Sequence, residues 1–385
     1  MLPLTRPWID EREVVAVADA VRSGSLIGAG RLGREIEQEL AAVLGVDRAL
    51  LVNCCTAALE AAVLLSGAGP GDEVILPSFT FVSCANAVVR AGARPVFADI
   101  EPTTLNVDPA SVERAITART RAIMVVHYGG RACDMAAILR LAAAHGLCVI
   151  EDAAHALGGS WNGRPLGTVG DFGCFSFHGS KDVVCGEGGA LVCRDAADTR
   201  AAEIMREKGT NRAAFLRGEV NKYEWVALGG SLILSDVLAA MLRPQLQRLP
   251  AMVARKRDLA RRLSAALAPL GSRVLLPVWS DQSSWHLYPV LVPREVRDEV
   301  LTSLQAEGIG ASFHYVPLHD SPYGQRQFGY ATGDLPVTEK VSRSLVRLPL
   351  FAAMSDADLD DVTAAACKVI NRIVTPGSTV ADESR

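Results

Sequence analysis

Lys181 closes the run Phe175-Ser-Phe-His-Gly-Ser-Lys181, and Gly186-Glu-Gly-Gly189 follows it closely. The apolar segment from Gly173 to Phe177 reads as a strand that delivers a serine, a histidine and a lysine into a short loop, where the glycines let another backbone pass nearby. Upstream, Leu147-Cys-Val-Ile-Glu-Asp152 reads as a second buried strand ending on a carboxylate. The 29 positions from Asp152 to Lys181 leave room for a crossover in an α/β fold. An amine at one strand end and an acid at another suit an aldehyde cofactor with a ring nitrogen. The amine condenses with the aldehyde. The carboxylate keeps the nitrogen protonated, so that the ring draws electrons from the reacting carbon. Pyridoxal phosphate meets both demands.

Other segments offer the remaining contacts. Asn53-Cys-Cys-Thr56-Ala57-Ala-Leu-Glu follows a strand and opens a helix, whose free N–H groups and positive dipole end suit a phosphate. An ordinary threonine N-cap explains the same segment equally well. Pro77-Ser-Phe79-Thr-Phe81 follows another strand end, where an aromatic is either core or a flat apolar face for a ring. Asp152 is either an N-cap or the partner of a protonated ring nitrogen; a carboxylate buried without a partner is costly. His155 lies one helical turn further on, and by itself reads as packing. The apolar strand before Lys181 and the glycines after it argue against a surface lysine.

The elements that position these residues are short β-branched runs alternating with helical patterns. Candidate strands are 49–53, 73–76, 95–98, 122–126, 147–151, 173–177 and 190–193. Several are apolar without alternation, as expected of strands covered by helices on both faces. No clear helix joins the last two, so one antiparallel strand in a mostly parallel sheet is expected. Between the others helices fit; one over 135–145 ends at Gly146, a good C-cap. The expected fold is an α/β sandwich with ligand chemistry at the carboxyl ends of the strands. From about Ser235 the texture changes: an amphipathic pattern over 238–267, interrupted by Pro244 and Pro250, leads into an α+β region with strands over 287–292 and 311–315 and a helix over 301–307. Residues 1–240 are expected to form a large cofactor-binding domain, 241–375 a small C-terminal domain, and 376–385 a disordered tail.

With 49% hydrophobic residues, a core is readily built, and a net charge of −4 gives no reason to expect nucleic acid or an anionic membrane as partner. No apolar stretch is long enough to span a bilayer, and the first residues lack a signal-peptide core, so a soluble cytoplasmic protein is expected. Nine cysteines with no C-x-x-C pair indicate neither a disulfide framework nor a zinc site. Cys54 and Cys55 flank the phosphate loop but have no second nucleophile pattern, and read as structural or incidental.

Pro-Ser-Phe-Thr-Phe, Glu-Asp-Ala-Ala-His, Ser-Phe-His-x-x-Lys and Tyr-Val-Pro-Leu-His, in this order and with their spacing along residues 7–354, resemble the motifs of sugar aminotransferases of the DegT/DnrJ/EryC1/StrS family. The resemblance implies the type I aminotransferase fold and pyridoxal 5'-phosphate as cofactor, with pyridoxamine phosphate as intermediate. It implies that Lys181 binds the aldehyde and then shuttles a proton as base and acid. Thr56, Ala57 and Ser176 would hold the phosphate, Phe81 would stack on the ring, and Asp152 and His155 would face the ring nitrogen and phenolic oxygen. Lys222, Tyr223 and Ser231 match a segment that reaches the neighbouring subunit's site, so a homodimer with shared sites is implied. Most members have Asn at the position of Ser231, whose shorter hydroxyl can still donate to phosphate. Glu187, His314, Tyr315 and His319 are candidate sugar contacts; His178 is less defined. No third ligand accompanies the two histidines, so no metal is expected.

Three rival readings differ at identifiable residues. A sugar dehydratase of the same fold has His where Lys181 stands; a non-catalytic regulator that binds nucleotide sugar would have lost the lysine or the acid; a nicotinamide-binding protein would show an early G-x-G-x-x-G. Within the aminotransferases, Arg206-Glu-Lys-Gly-Thr-Asn-Arg212, Val126-His-Tyr-Gly and Phe313-His-Tyr-Val-Pro-Leu-His resemble the branch that aminates C4 of dTDP-4-keto-6-deoxyhexoses with L-glutamate. A 3-ketosugar aminotransferase is the neighbouring alternative.

Overall fold

The computed structural model describes residues 1–24 and 26–375. The expected tail 376–385 lies outside them. Seven strands form the central sheet: β1 (Leu50–Val52), β2 (Glu73–Pro77), β3 (Arg94–Ala98), β4 (Thr120–Val126), β5 (Cys148–Asp152), β6 (Phe172–Ser176) and β7 (Gly189–Cys193). Their order is β1-β7-β6-β5-β4-β2-β3, parallel throughout except for β7, which runs against both neighbours. All seven expected strands are present, as is the single antiparallel one.

Alternation along the strands explains the layers. Leu50, Val52, Val74, Leu76, Met124 and Ile150 point into one apolar cluster with the helices Cys55–Leu65 and Val82–Arg90. Leu51, Phe175 and Val192 point the other way onto the helix Arg31–Leu44 and the first half of Asp236–Leu267. Further along that second face, Ile75, Ile123 and Val149 meet the helices Pro109–Ala115 and Met135–His145. The last of these stops at Gly146, whose φ of 65° is the left-handed cap a glycine takes without strain. Both faces of each strand are therefore apolar, which is why the runs show no polar alternation.

Four details differ from expectation. The connection from β5 to β6 contains no helix; glycines at 158, 159, 163, 167 and 170 favour turns, and a two-residue hairpin, Ser160–Trp161 with Arg164–Pro165, fills the space. Asp152 accordingly caps a turn, its Oδ1 accepting the Ala154 N–H at 2.9 Å. Pro244 and Pro250 do not interrupt the helix, which runs unbroken for 32 residues. Each proline removes one backbone bond, but the helix is held along its length by packing on the helix Glu11–Ser23 and by Arg248, which pairs with Glu13 at 3.0 Å. Residues 311–315 form no strand: Ser312 makes one bridge to Arg347, and the chain then turns so that His314 and Tyr315 face the interior.

The C-terminal layer is an antiparallel pair of strands, β8 (Tyr288–Leu291) and β9 (Leu345–Leu348), with the helices Arg297–Ala306 and Asp356–Ile373. Its core includes Leu259, Leu263 and Leu267 from the far half of the long helix, whereas Ala239, Leu242 and Leu246 from the near half lie under the sheet. Position 240 thus falls within an element common to both cores. The N-terminal residues also join this layer: the Leu2 N–H donates to Gly308 and the Gly310 N–H to Leu2, both at 2.8 Å.

Candidate active site

The carboxyl ends of β1, β2, β5 and β6 open on a cavity of about 470 Å³, within the range of cofactor and small-molecule sites. Each strand end contributes a functional side chain. β5 ends on Asp152; β6 ends on Ser176 and leads to Lys181; the turn after β2 brings Phe81; and the helix after β1 brings Thr56. His155, Glu187, His314 and Tyr315 also line the cavity. Residues separated by more than a hundred positions thus meet because parallel strands all end on the same side.

Asp152 sits at the cavity floor, 5% exposed, and Cys84 donates its thiol to Asp152 Oδ2 at 3.0 Å. Burial pulls the Lys181 ammonium below its ordinary pKa, with Asp152 opposing that shift only in part. The amine is therefore more readily neutral, as a nucleophile or base requires. Phe81 is 57% exposed although it is a large aromatic, and it stands at the cavity rim rather than in the core. Its neighbour Phe79 is the buried one. Thr56 Oγ1 and Ser83 Oγ lie 2.7 Å apart at the starts of two successive helices. A Cβ at Gly189 would come within 2.6 Å of the Cys54 carbonyl carbon and the Cys55 nitrogen, so β7 runs directly against the start of the helix Cys55–Leu65.

Three imidazoles form one wall. His155 and His286 lie with ring centroids 4.4 Å apart, and His314 is 6.2 Å from His155. The Gly129 N–H points at His155 Nδ1 at 3.4 Å, which leaves Nε2 to carry the ring proton. Tyr128 OH meets His314 Nδ1 at 3.1 Å. Burial lowers the pKa of all three, that of His286 to about 4, despite the opposing pull of Asp182, so the wall is neutral near pH 7.

Several expected residues lie elsewhere. Ala57 does not line the cavity; its N–H is directed at Cys54 Sγ at 3.4 Å. His319 is fully buried between Ser78 Oγ at 2.7 Å and Glu339 Oε1 at 3.1 Å, tying the C-terminal layer to the end of β2. It cannot reach the cavity because both ring nitrogens are engaged. Lys222, Tyr223 and Ser231 lie outside this chain's cavity on an exposed stretch. Sequence reasoning missed Cys84, His286, Ser83 and Arg347, all from segments without a motif. Cys55, read as incidental, also lines the cavity beside Lys181.

These residues fit pyridoxal phosphate. Asp152 would offer a carboxylate to a ring N–H, Lys181 an amine, Phe81 an apolar face, and Thr56 and Ser176 hydroxyls beside a helix N-terminus for the phosphate. When bound, the cofactor supplies an aldehyde carbon for amine exchange and an electron-poor ring. The chain holds Asp152 in place through Cys84 and Ala154, and its part with the cofactor bound would be to orient that ring and to move protons at Lys181 Nζ.

Fold and site together define a pyridoxal-phosphate-dependent transferase. Residues 7–366 match the DegT/DnrJ/EryC1/StrS aminotransferase family, and the chain belongs to that family of sugar aminotransferases. It is 39% identical over 378 residues to the spore coat polysaccharide biosynthesis protein SpsC of Bacillus subtilis (strain 168), covering 96% of this chain and 97% of that one. Among solved structures it is similar to the aminotransferase TlmJ from Streptoalloteichus hindustanus, with a TM-score of 0.90, 34% identity, and 97% of this chain and 100% of that one covered. It is also similar to Spr1654 from Streptococcus pneumoniae in its PMP form, with a TM-score of 0.90, 28% identity and the same coverage. The PLP form of that protein is also solved, with a TM-score of 0.89 and 27% identity over 97% of this chain and 100% of that one.

Proposed function

We propose that this sugar aminotransferase moves the amino group of L-glutamate to C4 of a dTDP-4-keto-6-deoxyhexose, giving a dTDP-4-amino-4,6-dideoxyhexose and 2-oxoglutarate. The observation that carries amino transfer is the partly buried Lys181 amine in the same cavity as Asp152. A dehydratase of this fold needs the same ring-binding groups but no lysine amine, so Lys181 favours transfer over C–O cleavage. Lys181 Nζ takes the proton from the donor's α-carbon and, in the return half, delivers a proton at C4 of the acceptor. The choice of C4, of the dTDP nucleotide and of glutamate follows the resemblance of Val126-His-Tyr-Gly and Phe313-His-Tyr-Val-Pro-Leu-His to that branch. It is supported by the position of His314 and Tyr315 on the cavity's wall, with Tyr128 packed behind them.

The same reading makes the protein a homodimer in which Lys222, Tyr223 and Ser231 complete a partner's site. Trp225 and Leu228, 80% and 75% exposed, give that stretch the apolar surface an interface needs. Incubating the enzyme and glutamate separately with 3-keto and 4-keto nucleotide sugars, then locating the new C–N bond by NMR, tests the substrate. Amination of the 3-keto sugar alone overturns C4; loss of a hydroxyl without a gained nitrogen overturns amino transfer.

A further inference from the structure

We infer that Asp182 and Lys256 are positioning residues that set which sugar the site accepts. They fix His286 in the tautomer that turns a bare Nε2 to the cavity, where it accepts the hydroxyl on the carbon next to the sugar's carbonyl. This assignment rests on the amino-transfer reading above and narrows its substrate class to ketosugars that carry that hydroxyl.

The chain reaches this arrangement through a backbone turn that few residues tolerate. Trp285 has a φ of 55°, left-handed and strained for so bulky a side chain. The turn sends the indole into the apolar core of the C-terminal layer, where Nε1 donates to the Ser280 carbonyl at 3.0 Å. It sends the next side chain, His286, onto the cavity wall just ahead of β8. The His286 N–H donates to the Gly129 carbonyl at 3.0 Å, so the backbone is held as well as the ring.

Charge then decides which ring nitrogen carries the proton. Lys256, on the helix Asp236–Leu267, is 1% exposed, and its ammonium contacts Asp182 Oδ1. A buried ammonium is tolerated only with an anion beside it. Burial pushes the Asp182 carboxyl up, but Lys256 and His286 outweigh burial and hold its pKa at about 2. Asp182 is therefore ionised and can only accept. Its Oδ2 lies 3.0 Å from His286 Nδ1, so Nδ1 is the protonated nitrogen. His286 stays neutral near pH 7, because burial outweighs the pull of Asp182. Nε2 is then a bare acceptor, and no protein donor meets it among the described residues.

A bare lone pair selects among the groups that enter. It repels phosphate, the carboxylates of glutamate and the phenolic oxygen of the cofactor, which falls instead to the His155 N–H. It attracts a hydroxyl. Asp182 directly follows Lys181, so His286 lies on the lysine's side of the cavity, and Lys181 works at the carbonyl carbon of the sugar. In a 4-keto-6-deoxyhexose the C5 side carries no O–H, which leaves the C3 hydroxyl as the donor beside the carbonyl.

The test uses holoenzyme and two ligands that cannot be aminated: dTDP-6-deoxyglucose, with a hydroxyl in place of the ketone, and its 3-deoxy-3-fluoro analogue. Fluorine is close to a hydroxyl in size and cannot donate. In calorimetric titration, wild-type enzyme should favour the hydroxyl ligand by about 10- to 100-fold. His286→Ala should bring that ratio below about threefold. Asp182→Asn keeps the shape, but Lys256 takes its amide oxygen and its N–H turns to His286, which moves the ring proton to Nε2. Here too the ratio should fall below about threefold. Both variants are checked for retained cofactor and melting temperature. Two-bond proton–nitrogen correlation spectra of histidine-labelled wild-type enzyme, with His286 assigned by its loss in His286→Ala, should show Nδ1 protonated. That spectrum decides the tautomer even if Asp182→Asn fails to fold. A wild-type ratio near one, or a ratio unchanged in His286→Ala, overturns hydroxyl recognition and leaves amino transfer standing. Nε2 protonated in the wild type, or full discrimination in Asp182→Asn, removes Asp182 and Lys256 from their role. Wild-type enzyme that carries its cofactor yet binds neither ligand overturns the nucleotide-sugar reading as well.

Discussion

Cys84 donates its thiol to Asp152 at 3.0 Å, so the carboxylate that would face the cofactor ring is held from behind by a residue of the helix Val82–Arg90. Thr80 Oγ1 lies 3.2 Å from the same sulfur, extending the contact to the loop that carries Phe81. Asp152→Ala removes a charge-assisted bond to the ring and should weaken cofactor binding roughly 10- to 100-fold. Cys84→Val leaves the Ala154 N–H on Oδ1 and should cost less than about tenfold. Fluorescence titration of apoenzyme with cofactor measures both; equal losses would show that the thiol, not the carboxylate, governs the site.

Purified enzyme should carry its cofactor covalently on Lys181, yellow and fixed by borohydride. Lys181→Ala should still bind cofactor non-covalently while turnover falls by at least about 10²- to 10⁴-fold, the usual range for loss of a positioned acid/base. Mass spectrometry of the reduced protein is decisive, since label on another lysine removes Lys181 from its role.

Gly189 marks where β7 crosses the start of the helix Cys55–Leu65. In Gly189→Ala the new methyl would lie 2.6 Å from backbone atoms of Cys54 and Cys55, so the helix start must move. The variant should fold with reduced stability and lose affinity for free pyridoxal phosphate well beyond what it loses in melting temperature. Calorimetric titration with the cofactor checks this; wild-type affinity would mean the helix start does not hold the phosphate.

His286 is buried beside Asp182 at 3.0 Å, and Lys256 Nζ contacts both Asp182 and the His286 carbonyl. Burial pulls the His286 pKa down to about 4, against the pull of Asp182. In the unfolded chain a histidine titrates near 6.5. The unfolded state therefore binds the proton first, and stability falls as pH drops from about 6.5 toward 4. His155 and His314 act in the same direction. Denaturant unfolding should show a loss between pH 7 and pH 5, with His286 contributing up to about 2 kcal/mol. His286→Gln should flatten that slope; an unchanged slope would exclude His286 as a contributor.

Light scattering should find a dimer. Trp225→Asp with Leu228→Asp should give monomers that lose activity with the interface. Mixing Lys181→Ala with a Lys222→Ala, Ser231→Ala chain should restore part of the activity, because one site of each hybrid would then be whole. No restoration, with dimers present, would mean that each site is built from one chain.

Local pattern was enough to place the sheet and to bring Lys181 and Asp152 to strand ends at one cavity. Continuous apolar runs have few alternatives to strands buried on both faces, and Lys181 and Asp152 each follow such a run, so local pattern sufficed for both. Turn chemistry was partly legible: Gly146 as a cap was read correctly, whereas the glycine-rich crossover after Asp152 was expected to hold a helix and is built from turns and a two-residue hairpin. Tertiary structure alone decided the rest. Pro244 and Pro250 stay inside a helix because packing along 32 residues outweighs what each proline costs locally. His319 and His314 lie five positions apart on one loop, yet Ser78 and Glu339 draw one into the interior and Tyr128 holds the other at the cavity. His286 and Cys84 carry no motif, since their roles depend on which neighbours arrive from distant segments. A strand's pattern is set by its own residues; the charge balance of a cavity is set by all the segments that meet there.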